Sequence, residues 1–216
     1  MNEWLSRLLT GDPPAGVQSP RAYFSALPRL ETEDLILRPI RRRDVRDIHA
    51  YASDPEVARY VLWDAHKTLA DTRRYIHWIH RQYRQGFPSS WALELKSTGR
   101  VIGSIGFVWY SEDNRSAELG YSLARPFWNQ GYATQALAAV VRSAFDRLPV
   151  HRLEAEHDVR NPASGRVMLK CGFRREGVLR GRVFNKGEFA DVVLYSLLKT
   201  DPLPAPGQEA GKLFHP

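Results

Sequence analysis

Three short stretches carry the residues that can do chemistry. In "SAELGYSLA" (Ser116–Ala124) alternation puts Ala117, Leu119, Tyr121 and Leu123 on one face of a strand. Ser116, Glu118, Gly120 and Ser122 fall on the other. Glu118 is then a lone carboxylate among small residues, which suits an open cleft better than a packed core. A carboxylate there can accept a proton from a substrate; a surface glutamate or an ion-pair partner would read the same way. In "WNQGYAT" (Trp128–Thr134) one glycine precedes a helix. The first amides of a helix have no intrahelical partner, and the helix dipole favours an anion there. Gly131 and Ala133 keep side-chain bulk away from that main chain. A purely structural turn has the same letters, and neither GK[ST] nor G-x-G-x-x-G spacing is present. In "NPASGRVMLKCGF" (Asn161–Phe173) the Ser164 hydroxyl can donate a proton or simply satisfy nearby backbone.

Other reactive side chains are weaker candidates. Cys171 has no histidine close in sequence and reads as a small buried hydrophobe rather than a nucleophile. His77 and His80 share a helix, but a zinc site needs more ligands, so no metal is expected. Trp63, Tyr75 and Trp78 can line a substrate cleft, although aromatics more often pack.

These stretches need a scaffold of strands and helices. "LILRPI" (Leu35–Ile40) reads as a strand, then "RDVRDIHAYA" and "LADTRRYIHWIHRQYRQG" as helices, the second closed by Gly86. "SWALELKSTGRVIGSIGFVWY" is a hairpin, and "SAELGYSLA" is the next strand. The helix after Gly131 has its apolar stripe at Ala133, Ala136, Leu137, Val140, Val141, Ala144, Phe145 and Leu148. "HRLEAEHDV" is a strand. A short helix follows, with Asn161 as its cap and Pro162 in its first turn. "GVLRGRVF", the "NKGE" turn and "DVVLYSLL" make a last hairpin. The order is that of an α/β (α+β) sheet flanked by helices, not a bundle or a sandwich.

The whole chain sets the remaining bounds. At 216 residues it fits one domain, expected over residues 31–199 between an N-terminal arm (1–30) and a flexible tail (200–216). No apolar run approaches a membrane span and no signal peptide is visible, so a cytoplasmic protein without a membrane partner is expected. The single cysteine rules out an internal disulfide. A net charge of +7 favours acidic partners such as phosphates, nucleotides or the ribosome, or is simply a soluble basic surface.

Taken together, "AELGYSLARPFWNQGYATQAL", "HRLEAEHDVRNPASGRVMLKCGFRREGVL" and "DVVLYSLL" resemble the GNAT superfamily of acyl-CoA N-acyltransferases, most of all its RimJ/RimL branch, which acetylates protein N-termini including those of ribosomal proteins. The resemblance runs from about Glu33 to Lys199. It implies a mixed, mostly antiparallel central sheet of about seven strands. It implies acetyl-CoA as cosubstrate, with its pyrophosphate on the backbone of Asn129, Gln130, Gly131, Tyr132, Ala133 and Thr134. The pantetheine arm would pair with about Tyr121 to Leu123, and Asn161 would touch the cofactor. The usual Gln or Arg at the loop start is Trp128 here.

The implied reaction is attack of a neutral amine on a thioester. An α-amine has a pKa near 8 and a lysine near 10.4, so a proton must leave. Glu118 matches the family's frequent glutamate and is the expected base. The usual tyrosine acid is Met168 here, which leaves Ser164 or Tyr121 to protonate the departing sulfur. Arginines near the cofactor can serve its 3′-phosphate. The expected acceptor is a protein N-terminus; a small amine such as an antibiotic or polyamine is the alternative, and a non-catalytic acyl-CoA or RNA-binding module the third. The resemblance also allows a homodimer, with the final hairpin offering an edge.

Overall fold

The computed structural model describes residues 16–204. Its centre is an eight-stranded sheet: β1 (Leu30–Glu31), β2 (Leu35–Pro39), β3 (Ser90–Leu95), β4 (Val101–Ser111), β5 (Ser116–Leu123), β6 (Arg152–Asp158), β7 (Arg174–Asn185) and β8 (Glu188–Leu198). The spatial order is β1-β2-β3-β4-β5-β6-β8-β7. Every pairing is antiparallel except β5 with β6. The eighth strand beyond the expected seven is the two-residue β1, too short to show a period.

Among the described residues six α-helices pack on this sheet: α1 (Pro20–Ser25), α2 (Val45–Ala52), α3 (Pro55–Ala58), α4 (Leu69–Gln85), α5 (Tyr132–Arg147) and α6 (Pro162–Lys170). α4 begins with a reciprocal cap between Thr68 and Asp71 and ends at Gly86, whose φ of 69° suits a residue without Cβ. α5 lays Leu137, Val140, Val141, Ala144 and Phe145 on one side of the sheet, beside Leu119, Leu153 and Trp91. α2 and α4 cover the other side with Ile48, Tyr51, Ile76 and Ile79. Ala133, expected in the α5 stripe, is only partly buried; it sits where the helix leaves the core and faces a cavity.

Two expectations change. Residues 20–27 are not a loosely attached arm: Tyr23, Phe24 and Leu27 are buried in the main core, and the Tyr23 hydroxyl bonds Ser143 Oγ on α5 at 2.9 Å. Two aromatic side chains next to each other in a six-residue helix bury enough surface to anchor it. Residues 1–15 of the expected N-terminal arm lie outside the described residues, as do residues 205–216 of the tail. Asn161 occupies the cap position of α6, but its side chain makes no capping bond. The carboxamide is therefore not committed to the helix end.

Candidate functional site

β5 and β6 pair only over Ser116–Glu118 with Arg152–Glu154. Beyond that point they splay, because β6 turns to follow β8 while β5 stays on β4. Ala124 N donates to Ile102 O at 2.8 Å. The two-residue alternation of an antiparallel ladder then gives Ser122 to β4 as well. The main-chain groups of Tyr121 and Leu123 turn to the edge that β6 has left. The Leu123 carbonyl is taken by Trp128 Nε1 at 2.7 Å, which ties the next loop to the strand end.

A cavity of about 440 Å³ opens along this edge. It is lined by Tyr121, Ser122 and Leu123 from β5, by Asn129, Gly131, Tyr132, Ala133 and Thr134 from the loop and α5, and by Asn161 and Ser164 from α6. Glu56, Val57, Tyr60 and Val61 form the facing wall. Lys186, at the tip of the last hairpin, holds that wall through Nζ bonds of 2.7 Å to Ala58 O and Val61 O. The broader hollow beside the irregular middle of β7, at Val178–Arg182, contains none of the expected site residues.

The loop before α5 is shaped by its backbone. Asn129 has φ 59° and Gly131 φ 83°, so the chain turns twice through the left-handed region. Gly131 provides no side-chain cap, and the first helical bond runs from Gln135 N to Gly131 O. The amides of Tyr132, Ala133 and Thr134 therefore lack intrahelical partners. A Cβ at Gly131 would meet nothing within 4 Å. The space above these amides is open, which fits a phosphate reaching the main chain. Gln130 points away from the cavity, donating from Nε2 to Pro126 O at 2.7 Å.

Across the cavity the Tyr121 hydroxyl lies 2.9 Å from both the carbonyl and the Oγ of Ser164. The ring packs on the core, as its face of the strand requires, but the hydroxyl reaches α6. Burial raises its pKa, so it stays protonated. The two expected proton donors are thus one hydrogen-bonded pair. Gly165 brings α6 this close: a Cβ there would meet His157 Nε2 at 2.6 Å and Tyr195 Oη at 2.9 Å. Met168 is buried in the core and has no polar role. Cys171 is buried too, and burial pushes its thiol up to about 12, so it is an inert thiol rather than a thiolate nucleophile.

Glu118 does not line this cavity. It sits where β5 and β6 begin to part, on the opposite face of β5 from Tyr121, directly beside Glu154 of β6. Burial, the Glu156 carboxylate and Glu154 push its pKa up to about 7, while a hydrogen bond from Trp109 Nε1 and the charge of Arg182 hold it down. Glu156 is raised as well, mainly by burial, with Arg182 opposing it from 4.0 Å. The two-residue period of β6 sets Glu154 and Glu156 on one face, a signal present in the sequence. Nothing in the sequence signalled that Trp109 or the Glu56–Val61 wall would join them. The rings of Trp63, His66, Tyr75 and Trp78 follow one another at centroid distances of 5.8, 6.0 and 6.3 Å; Trp78 is the most exposed of the expected aromatics.

The family model described as an acetyltransferase (GNAT) domain matches residues 34–174. The chain is 34% identical over 172 residues to the uncharacterized N-acetyltransferase YoaA of Bacillus subtilis (strain 168), covering 80% of this chain and 97% of that protein. It is 25% identical over 192 residues to the [ribosomal protein uS5]-alanine N-acetyltransferase of Escherichia coli (strain K12), covering 84% and 97%. The solved structure of RimL, a ribosomal L7/L12 alpha-N-protein acetyltransferase in complex with coenzyme A, superposes with a TM-score of 0.70 at 21% identity, over 77% of this chain and 95% of that one; at that identity the likeness is one of fold. No helix among the described residues is long and apolar enough to cross a membrane. A splayed strand pair beside open helix-start amides, in a chain whose domain match spans most of its sheet, leads to one assignment: this protein belongs to the GNAT family and is an N-acetyltransferase that uses acetyl-CoA.

Proposed function

We propose that the acceptor is the α-amine of a protein N-terminus, of the ribosomal-protein kind, and that Glu118 takes its proton. The observation that carries this reading is how the base matches the acceptor. Burial and the carboxylates of Glu156 and Glu154 push the Glu118 carboxyl up to about 7. An α-amine lies near 8 and a lysine near 10.4. Proton transfer to Glu118 is nearly balanced for the first and uphill by about 4–5 kcal/mol for the second. Glu154 and Glu156 on the neighbouring strand attract an ammonium to the same face. The net charge of +7 suits an acidic macromolecular partner such as the ribosome. The relative that acts on ribosomal protein uS5 points the same way.

Acetyl-CoA supplies the acetyl thioester. The main-chain groups of Tyr121 and the Leu123 N–H, on the edge that β6 leaves, would pair with its extended arm. The amides of Tyr132, Ala133 and Thr134 would hold its pyrophosphate, with Asn129, Gln130 and Gly131 shaping the loop, and the uncommitted Asn161 carboxamide would contact it. Glu118 takes the ammonium proton before attack and passes it to water; the neutral amine then forms the C–N bond, and the second N–H proton leaves the tetrahedral adduct to the same carboxylate. As the C–S bond breaks, the Tyr121–Ser164 pair offers the sulfur a proton. Its two hydroxyl protons serve each other and the Ser164 carbonyl at rest, so one of these bonds opens at that moment.

The test is an acceptor screen reading free-thiol release. Peptides with a free N-terminus, the same peptides blocked at the N-terminus but carrying lysine, polyamines and aminoglycosides are compared at equal concentration. Preference for the free N-terminus by tenfold or more in kcat/KM is expected. Turnover of polyamines or aminoglycosides with none on free N-termini would overturn the acceptor class.

A further inference from the structure

Trp109 reaches the site through an irregularity in β4. From Gly103 to Phe107, β4 pairs with Leu123 back to Leu119 in unbroken register. The register then shifts, and Trp109 stands opposite Glu118, with Tyr110 opposite Ala117. Val108 is the extra residue, 52% exposed, with its Cγ2 only 3.1 Å from where a Cβ on Gly120 would lie. Directly opposed residues share a face of the sheet. Without the bulge, residue 108 would face Glu118 and Trp109 would sit opposite Ala117, on the core side. One inserted residue therefore moves the indole from the core face to the face of the carboxylate.

Once there, Trp109 Nε1 donates to Glu118 Oε2. An indole has one donor and no acceptor, so it can bond the carboxylate only as donor. The other groups facing Glu118 are Glu154 and Glu156 of β6 and Arg182 of β7. Two of these three repel a carboxylate. We propose that Trp109 is a positioning residue for acetyl transfer: its indole N–H fixes one oxygen of Glu118, leaves the other free to receive the amine proton, and keeps the carboxylate ionised beside two like charges. Bulges are a recurrent means of re-aiming a side chain next to a site. The proposal rests on Glu118 acting as the base.

Trp109→Phe keeps an aromatic ring and removes the donor. The acid limb of kcat/KM should move up by about one pH unit, the size of a lost hydrogen bond to a charged group. That lowers kcat/KM about fivefold at pH 7 and leaves it nearly unchanged above pH 9. The KM for acetyl-CoA should stay the same. A uniform loss at every pH, with the limb unmoved, would mean that Trp109 only packs, and would overturn the proposal. Should the variant not fold, indole N–H resonances of the wild-type enzyme decide the matter. One of them should titrate with the midpoint of the kinetic acid limb and cease to do so in Glu118→Gln. If none does, the proposal fails. Full activity in Glu118→Gln would instead sink the base itself, a separate result.

Discussion

The two sides of the reaction centre are built from different parts of the chain's chemistry. The side proposed to hold the cofactor, at Asn129–Thr134 and the edge of β5 that β6 leaves, presents main-chain amides. The side of Glu118 presents side chains from four strands: Trp109 on β4, Glu118 on β5, Glu154 and Glu156 on β6, Arg182 on β7. Main-chain donors do not depend on which side chain is present, provided none blocks them. A cluster of charges depends on every member. The first side should therefore respond to bulk at one glycine and little else, and the second to single-atom changes of charge.

The largest effect expected is on the charged side. Glu118→Gln should lower kcat by roughly 10²–10⁴, the usual worth of a general base, with the Kd for acetyl-CoA unchanged. The loss should shrink as pH rises from about 6 to 9, since more of the amine is then already neutral. A raised KM with kcat intact would make Glu118 an acceptor-binding anion instead.

On the main-chain side, Gly131→Val should weaken acetyl-CoA binding about 100-fold, the equivalent of one or two lost hydrogen bonds to an anion. The protein should still fold, because a Cβ at this position meets nothing within 4 Å. The positive φ adds strain of about 1–2 kcal/mol, which differential scanning calorimetry would register. A folded variant with normal affinity in titration calorimetry would break the main-chain reading.

The same Glu118→Gln variant separates stability from activity. Folding raises Glu118 from its usual 4.5 to about 7, so the native state holds that proton more tightly than the unfolded chain. The resulting stability is complete below about pH 4.5 and is lost as pH climbs through 7. Gln never ionises. The variant should match the wild type near pH 4.5 and exceed it at pH 8, by about 1 kcal/mol or a few degrees in Tm, given that Glu118 keeps some contact with water. Thermal melts at the two pH values check this. Equal melting at pH 8 would mean that the carboxylate is not held at a cost.

The smallest effect tests the loop side chains. Gln130→Ala removes only the bond to Pro126 O, so affinity for acetyl-CoA should fall less than about threefold. A larger loss would show that the loop recognises its ligand with side chains as well.

Much of this was legible without coordinates, for physical reasons. Gly131 before an apolar helical stripe, the alternation that isolates Glu118, and the Asn161–Ser164 stretch are local patterns set by the periods of helix and strand. They point to the family, and they single out the proposed cofactor side because that stretch is made of consecutive residues. α1 is not legible in the sequence because six residues show too little period, and only packing of Tyr23 and Phe24 against α5 and β4 makes them core. Asn161 looked like a cap because its type and place fit one; its dihedrals, φ −114° and ψ 62°, fall outside the extended region where capping side chains usually reach back.

What the amino-acid order determines by itself is the long helices, most of the strands and the open amides at the start of α5. The tertiary structure alone decided how far β5 and β6 stay paired, and so where the edge opens. It decided that Tyr121 and Ser164 meet across 43 residues of sequence and that a one-residue bulge brings Trp109 to Glu118. It also decided the pKa of Glu118, which depends on carboxylates 36 and 38 residues away. The reason is range: hydrogen-bond periodicity acts between near neighbours, whereas burial and charge act through space, between residues that only folding brings together.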